Sequence, residues 1–315
     1  MSAHGHEHGH HDHSHTSSDA EGRAKALGWA IAITLGFAGV EAVGGWWAGS
    51  LALLGDAGHM VTDTVALALS FLAARLAQRP PSPEMSYGWR RAEVLAALLN
   101  AVFMLILVVA LGLAAIGRLQ QPVPVQGGVV MLIAAIGLGV NLLVLWQLHG
   151  THSHALNMRG AVLHVIGDLL GSVAALIAGL VVWLTGWTPI DPLLTLLICG
   201  LILVSAGRLL RDVIRVLMEA TPPGTDLDAV RRRLGAVEGV VAVHDLHVWT
   251  LAGDRLLLSA HLSVDSDQNW PATLMAAQRR LRDEFGIGHA TLQPESPQYR
   301  QLARAADDVL DDHCH

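Results

Sequence analysis

Histidine and aspartate recur four residues apart at two places. His59 and Asp63 lie within Leu54-Gly55-Asp56-Ala57-Gly58-His59-Met60-Val61-Thr62-Asp63, and His164 and Asp168 within Ala161-Val162-Leu163-His164-Val165-Ile166-Gly167-Asp168. At about 3.6 residues per turn, positions i and i+4 stack on one face of a helix. Two such helices brought face to face offer two imidazoles and two carboxylates, a tetrahedral donor set suited to a divalent ion such as zinc. Both pairs sit in long apolar runs, where ionisable groups are expensive and are kept for function. One pair alone would serve equally well as a polar contact between helices. Two at identical spacing point to a metal site inside a bilayer.

The elements that must carry these pairs follow from composition. Of 315 residues, 52% are hydrophobic and 15% charged, too apolar for an ordinary soluble chain of this length and suited to a multi-span membrane protein with a soluble appendage. A membrane helix needs about 20 apolar residues. Six stretches qualify: 27–48, 51–77, 93–117, 127–148, 158–184 and 190–214. Arg79, Arg90 and Arg91 lie between spans 2 and 3, and Arg208, Arg211 and Arg215 at and after the end of span 6, while connections 1–2 and 5–6 carry no Lys or Arg. The positive-inside rule then puts both termini in the cytoplasm of a multi-pass plasma-membrane protein. Glu41, Asn100 and Asn141 are lone polar residues within spans and read as interhelical hydrogen-bonding groups. Asp56, three before His59, reads as a helix-start or access feature.

The flanking segments differ in character. Residues 1–22 form a polar tail containing His4, His6, His8, His10, His11, His13 and His15 among Gly, Glu, Asp and Ser, a composition that stays disordered and can collect divalent metal. His149, His152 and His154, on the cytoplasmic side next to span 5, read as a solvated turn or as a second metal-collecting group. After the 23–218 membrane region, Pro222-Pro223-Gly224 marks a change. Residues 219–297 give the order helix (226–234), strand (240–251), strand (256–264), helix (270–285) and strand (289–293), a small α+β sandwich. His244 and His247, three apart on the first strand, are expected on opposite sheet faces. Residues 298–315 read as a flexible acidic tail ending in His313-Cys314-His315.

Several classes of function are disfavoured. The formal charge of −7 and the lack of a basic stripe weigh against a nucleic-acid partner. An intramembrane zinc enzyme would want His-Glu-x-x-His and a water-activating carboxylate, and neither is seen, so no enzyme and no cofactor are expected. A membrane metal sensor without transport would account for the soluble part and leave two buried charged pairs unexplained.

Four segments resemble the cation diffusion facilitators, in particular the bacterial zinc exporters among them. They are Gly49 through Asp63, Tyr87 through Asn100, Asn157 through Asp168, and His244-Asp245-Leu246-His247-Val248-Trp249, within a likeness spanning about residues 25–297. The resemblance implies six transmembrane helices, a C-terminal cytoplasmic ferredoxin-like α+β domain for dimerisation and metal sensing, a homodimer, and Zn²⁺ export in exchange for H⁺. It implies a transport site of His59, Asp63, His164 and Asp168, histidine at the first position going with zinc preference and aspartate there with broader zinc and cadmium use. It puts Arg91 and Glu219 at a charged interlock at the dimer's membrane–cytoplasm boundary, and His244, His261 and Glu295 at a cytoplasmic zinc site. Gln293 stands where some members have a further histidine. Cobalt, nickel, cadmium and iron stay open as cargo, since affinity order alone does not choose among them.

Overall fold

A computed structural model describes residues 15–149, 156–266 and 269–299, with side chains described for 32–143, 167, 169–266 and 269–299. The chain runs through six long helices, α1 (His15–Ala48), α2 (Leu51–Ala77), α3 (Ala92–Gln120), α4 (Gly127–His149), α5 (Leu156–Thr185) and α6 (Ile190–Leu217). These are followed by α7 (Leu227–Gly235), β1 (Val240–Thr250), β2 (Leu256–Val264), α8 (Trp270–Phe285) and β3 (His289–Glu295). Among the described residues, α2, α3 and α6 are each long and apolar enough to cross a membrane, and α4 and α5 contribute the apolar stretches 127–143 and 169–185.

One departure from expectation is at the N-terminus. Residues 15–22, expected to lack structure, continue α1 as helix. Ala20, Glu21, Arg23, Ala24 and Lys25 are good helix formers, so the apolar span propagates into them at little cost. The histidines before His15, together with His152, His154, His313, Cys314 and His315, lie outside the described residues.

The chain forms two compact units. The first comprises residues up to 65 and residues 103–204, with α4 packed along both α5 and α1. Glycine makes the α4–α5 approach possible. A Cβ on Gly127 would meet the Gly179 carbonyl oxygen and the Trp183 nitrogen at 2.6 Å, and one on Gly179 would meet the Met131 nitrogen at 2.6 Å. Backbone lies against backbone there, as small residues permit between membrane helices.

The second unit holds residues 66–102 and 205 onward. Its C-terminal part is a three-stranded sheet in the order β1-β2-β3, β1 antiparallel and β3 parallel to β2. Leu258, Ala260, Leu262 and Val264 alternate along β2 and bury themselves against Val230 and Leu234 of α7 and Ala277 and Leu281 of α8. Each leucine so buried contributes about 2 kcal/mol, which gives this small sandwich a core of its own. Asp226 caps α7 by accepting from the Asp228 and Ala229 amides, and Gly286 ends α8 in the left-handed conformation. The other sheet face, bearing Ser259 and His261, is turned away from these helices.

Candidate metal sites

The helical spacing does bring His59 and Asp63 together. On α2 the His59 Nε2 lies 3.6 Å from Asp63 Oδ2, both side chains 17% exposed. His164 and Asp168 occupy helical positions in α5, and their side chains, like that of His149 at the end of α4, lie outside the described residues.

What sets α2 against α5 is a buried polar chain. The Ser172 hydroxyl on α5 donates to Asp56 Oδ2 on α2 at 3.2 Å and accepts from Asn141 Nδ2 on α4 at 3.1 Å. Asp56 is 3% exposed, Asn141 7% and Ser172 0%. Asn141 thus has the interhelical role expected of it, and Asp56 is a cross-helix anchor. Gly171 lets the carboxylate in, since a Cβ there would lie 2.6 Å from Asp56 Oδ1. If the six helices cross a membrane in alternating directions, α2 and α5 run antiparallel, and counting from the Asp56–Ser172 contact sets position 59 opposite 169 and position 63 opposite 165. Those are within one residue of 168 and 164. By that count the two His-x-x-x-Asp segments lie at a similar depth.

The start of α2 is held by a residue that pattern reading passed over. Asp191, near the start of α6 and fully buried, accepts from Ser50 Oγ at 2.5 Å, from the Leu51 amide at 2.8 Å and from the Ala52 amide at 3.3 Å. Ser50 Oγ accepts in turn from the Leu53 amide at 3.2 Å. Arg118 at the end of α3 donates to the Gly49 carbonyl and sits 3.9 Å from Asp191. Free amides at a helix start need acceptors, and a carboxylate there also complements the helix dipole. Asp191 supplies this cap from 140 residues downstream. Its only sequence trace is an acid at the head of an apolar run.

In the second unit, His244, His261 and Glu295 converge. Their ligand atoms all lie within 4.8 Å of one another. Glu295 reaches His244 Nε2 at 3.0 Å and His261 Nδ1 at 2.9 Å, and the two imidazole rings meet edge to face. Two imidazoles and one carboxylate fit zinc and leave a position for water. Pairing of His244 with His261 across β1–β2, and of Ser263 with Glu295 across β2–β3, builds this site on the outward sheet face.

The expected opposition of His244 and His247 fails. The β1–β2 register shifts between them, with His247 paired to Ser259 and Val248 to Leu258, and Asp245 turns into the left-handed region at φ 49°. This bulge absorbs one residue, so His244 and His247 both face outward. His247 Nε2 bonds Asp245 Oδ1 at 2.9 Å, and Asp245 Oδ2 lies 3.5 Å from His261 Nε2. The hydrogen bond from His247 holds the Asp245 carboxyl below its ordinary range, aided by the charge of all three imidazoles.

Arg91 and Glu219 also meet, at 2.6 Å, with Glu219 at φ 54° just after α6. In the same unit Tyr87, in the α2–α3 connection, packs edge-on against His289 of β3, the ring centres 6.5 Å apart.

Comparison with known proteins agrees with this architecture. Residues 28–218 match the cation efflux transmembrane domain, and residues 222–297 match the cation efflux protein cytoplasmic domain. The chain belongs to the cation efflux family. It is 44% identical over 273 residues to the zinc transporter ZitB of Escherichia coli (strain K12), covering 86% of this chain and 87% of that one. It is 37% identical over 266 residues to a protein of Bacillus subtilis (strain 168) named cadmium, cobalt and zinc/H(+)-K(+) antiporter, covering 83% and 85%. Among solved structures, the metal-bound C-terminal domain of the CzcD transporter from Cuprividus metallidurans is 33% identical, spans 22% of this chain and 99% of that one, and has a TM-score of 0.22.

Proposed function

We propose that this chain is a homodimeric antiporter of the plasma membrane that exports Zn²⁺ from the cytoplasm in exchange for H⁺, with both termini cytoplasmic. The cargo is held between α2 and α5 by His59, Asp63, His164 and Asp168. The observation that supports this reading is the Asp56–Ser172 contact; counted from it along antiparallel α2 and α5, both His-x-x-x-Asp segments fall at a similar depth. The names of the 44% identical zinc transporter and of the H⁺-linked antiporter support zinc as cargo and a proton as counter-ion.

Exchange follows from ligand chemistry. Imidazole and carboxylate bind metal only after losing their protons, so metal and protons compete for the same atoms. Facing a near-neutral cytoplasm, the site deprotonates and fills; facing a more acidic exterior, it protonates and empties. Rocking of α2 and α5 between two openings completes the cycle. His244, His261 and Glu295 take cytoplasmic zinc as a regulatory ligand, with Arg91 and Glu219 pairing at the base of the membrane region.

The test is zinc movement in proteoliposomes under an imposed pH gradient, with interior pH recorded at the same time. Zinc and protons moving in opposite directions are expected. Zinc binding without flux would overturn transport in favour of a sensor. The antiporter's printed name brings in cadmium and cobalt, so both are run as competitors; flux of either in preference to zinc would overturn the cargo and leave the site standing.

A further inference from the structure

The bulge in β1 holds a group that the three-ligand metal cluster does not use. Among the described residues, Asp245 and Glu219 are the two outside glycine with positive φ. Non-glycine residues held there cost free energy and mark places where the surroundings demand a particular geometry. At Asp245 the demand is visible. The left-handed turn aims its carboxylate along the outward sheet face, with Oδ2 3.5 Å from His261 Nε2 and Oδ1 2.9 Å from His247 Nε2.

His261 presents its two ring nitrogens to two different carboxylates. Nδ1 faces Glu295 at 2.9 Å, on the side where His244 also arrives; Nε2 faces Asp245. A metal seated among His244, His261 and Glu295 takes Nδ1 of His261, so the remaining ring proton must sit on Nε2. A ligating imidazole is commonly oriented by donating its far N–H to a carboxylate, which fixes the tautomer and raises ligand basicity. Asp245 stands where that acceptor is needed, and His247 clamps its other oxygen.

We infer that Asp245 is a positioning residue for the cytoplasmic metal site, holding His261 in the tautomer that offers Nδ1 to a divalent cation, with His247 bracing it from behind. The inference rests on the reading of His244, His261 and Glu295 as a metal site. It reaches beyond those three ligands to the bulge that makes them effective, and gives the second histidine of His244-Asp245-Leu246-His247 a purpose without making it a ligand.

Two substitutions suit the backbone: Asn and Gly both accept a left-handed conformation, the first keeping an uncharged acceptor and the second removing it. Full-length protein is titrated with zinc against a competing chelator as wild type, His244→Ala, Asp245→Asn and Asp245→Gly, and metal-free unfolding is measured in parallel. His244→Ala should lose an equivalent of bound zinc. Asp245→Asn should keep that equivalent and bind it more weakly, and Asp245→Gly should weaken it further, by about tenfold or more. Metal-free stability should be unchanged in Asp245→Asn, a separation that a merely structural role would not give. Wild-type affinity in both Asp245 variants, with His244→Ala defective, would overturn the inference alone. Complete loss of the equivalent in Asp245→Asn would overturn it too, making Asp245 a ligand. Full zinc binding by His244→Ala would overturn the underlying site.

Discussion

Ser172 on α5 donates to Asp56 on α2 at 3.2 Å, one turn beyond Asp168 on the first helix and one turn before His59 on the second. The contact joins α2 to α5 about one turn from each His-x-x-x-Asp segment. Ser172→Ala takes a donor from a buried carboxylate, a loss of about 1–3 kcal/mol. Gly171→Ala would drive a methyl group against Asp56 Oδ1, at 2.6 Å, and displace that carboxylate from Ser172. Both variants should lower the thermal unfolding midpoint, and Gly171→Ala should reduce zinc flux more than Ser172→Ala. Wild-type flux in Gly171→Ala would show that the Asp56–Ser172 contact is unimportant for transport.

The cap on α2 leads to a second expectation. Asp191→Asn keeps the shape but replaces one of the two accepting oxygens by an NH2 group, which must face either the Leu51 N–H or the Ser50 hydroxyl and Ala52 N–H, where an acceptor is required. The cost is about 2 kcal/mol, the upper range for a lost cap. Both variants leave Arg118 without its neighbouring carboxylate, but Asp191→Ala should be worse than Asn, because it also leaves the Leu51 and Ala52 amides with no side-chain acceptor at all. Thermal unfolding of the purified protein measures both, and flux should fall in the same order.

How far the sequence reaches can be judged from these residues. His59 and Asp63 were legible because their relation is local, four positions on a helix, and so were the apolar spans and the strand–helix order of the soluble part. Asp191 was not, since its partners lie 139 to 141 residues away and no periodicity links an aspartate on α6 to the amides of α2. Ser172 and Asp56 are 116 apart and escape for the same reason. The bulge at Asp245 failed differently. Strict alternation predicts opposite faces for His244 and His247, and only the pairing partner reveals that one residue is extra.

For the proposed transport site, Asp63→Ala and Asp168→Ala should each abolish zinc flux into proteoliposomes while the protein still purifies as a folded dimer. A carboxylate removed from the proposed four-ligand set would leave the metal under-coordinated. Transport at the wild-type rate by either variant would remove that residue from the site. His59→Asp installs the residue that the resemblance associates with broader zinc and cadmium use, and should relax discrimination against cadmium, read as the ratio of zinc to cadmium flux.

Arg91 and Glu219 meet at 2.6 Å with side chains 40% and 55% exposed, so the pair contributes less than about 1 kcal/mol to stability. Its effect should appear in transport and be salt-dependent. Arg91→Glu should slow flux without shifting the unfolding midpoint measurably, and the exchanged pair Arg91→Glu with Glu219→Arg should recover most of it. If the double variant is as slow as the single, the two residues act separately.

Gln293 offers a gain-of-function test. It pairs with His261 in the β2–β3 register and lies two residues before Glu295, so all three belong to the outward face of the sheet. Its amide now donates to the Tyr299 hydroxyl at 3.2 Å. An amide is a poor ligand for zinc, whereas an imidazole at the same position would add a third nitrogen donor beside His244 and His261. Gln293→His should therefore tighten zinc binding in the cytoplasmic domain or admit a second ion, read by titration against a competing chelator. The rise should disappear when Glu295→Ala is added, because the carboxylate is the ligand shared by both histidines already present. A Gln293→His variant that binds zinc with unchanged affinity and stoichiometry would mean that the outward face is closed to further ligands at this register.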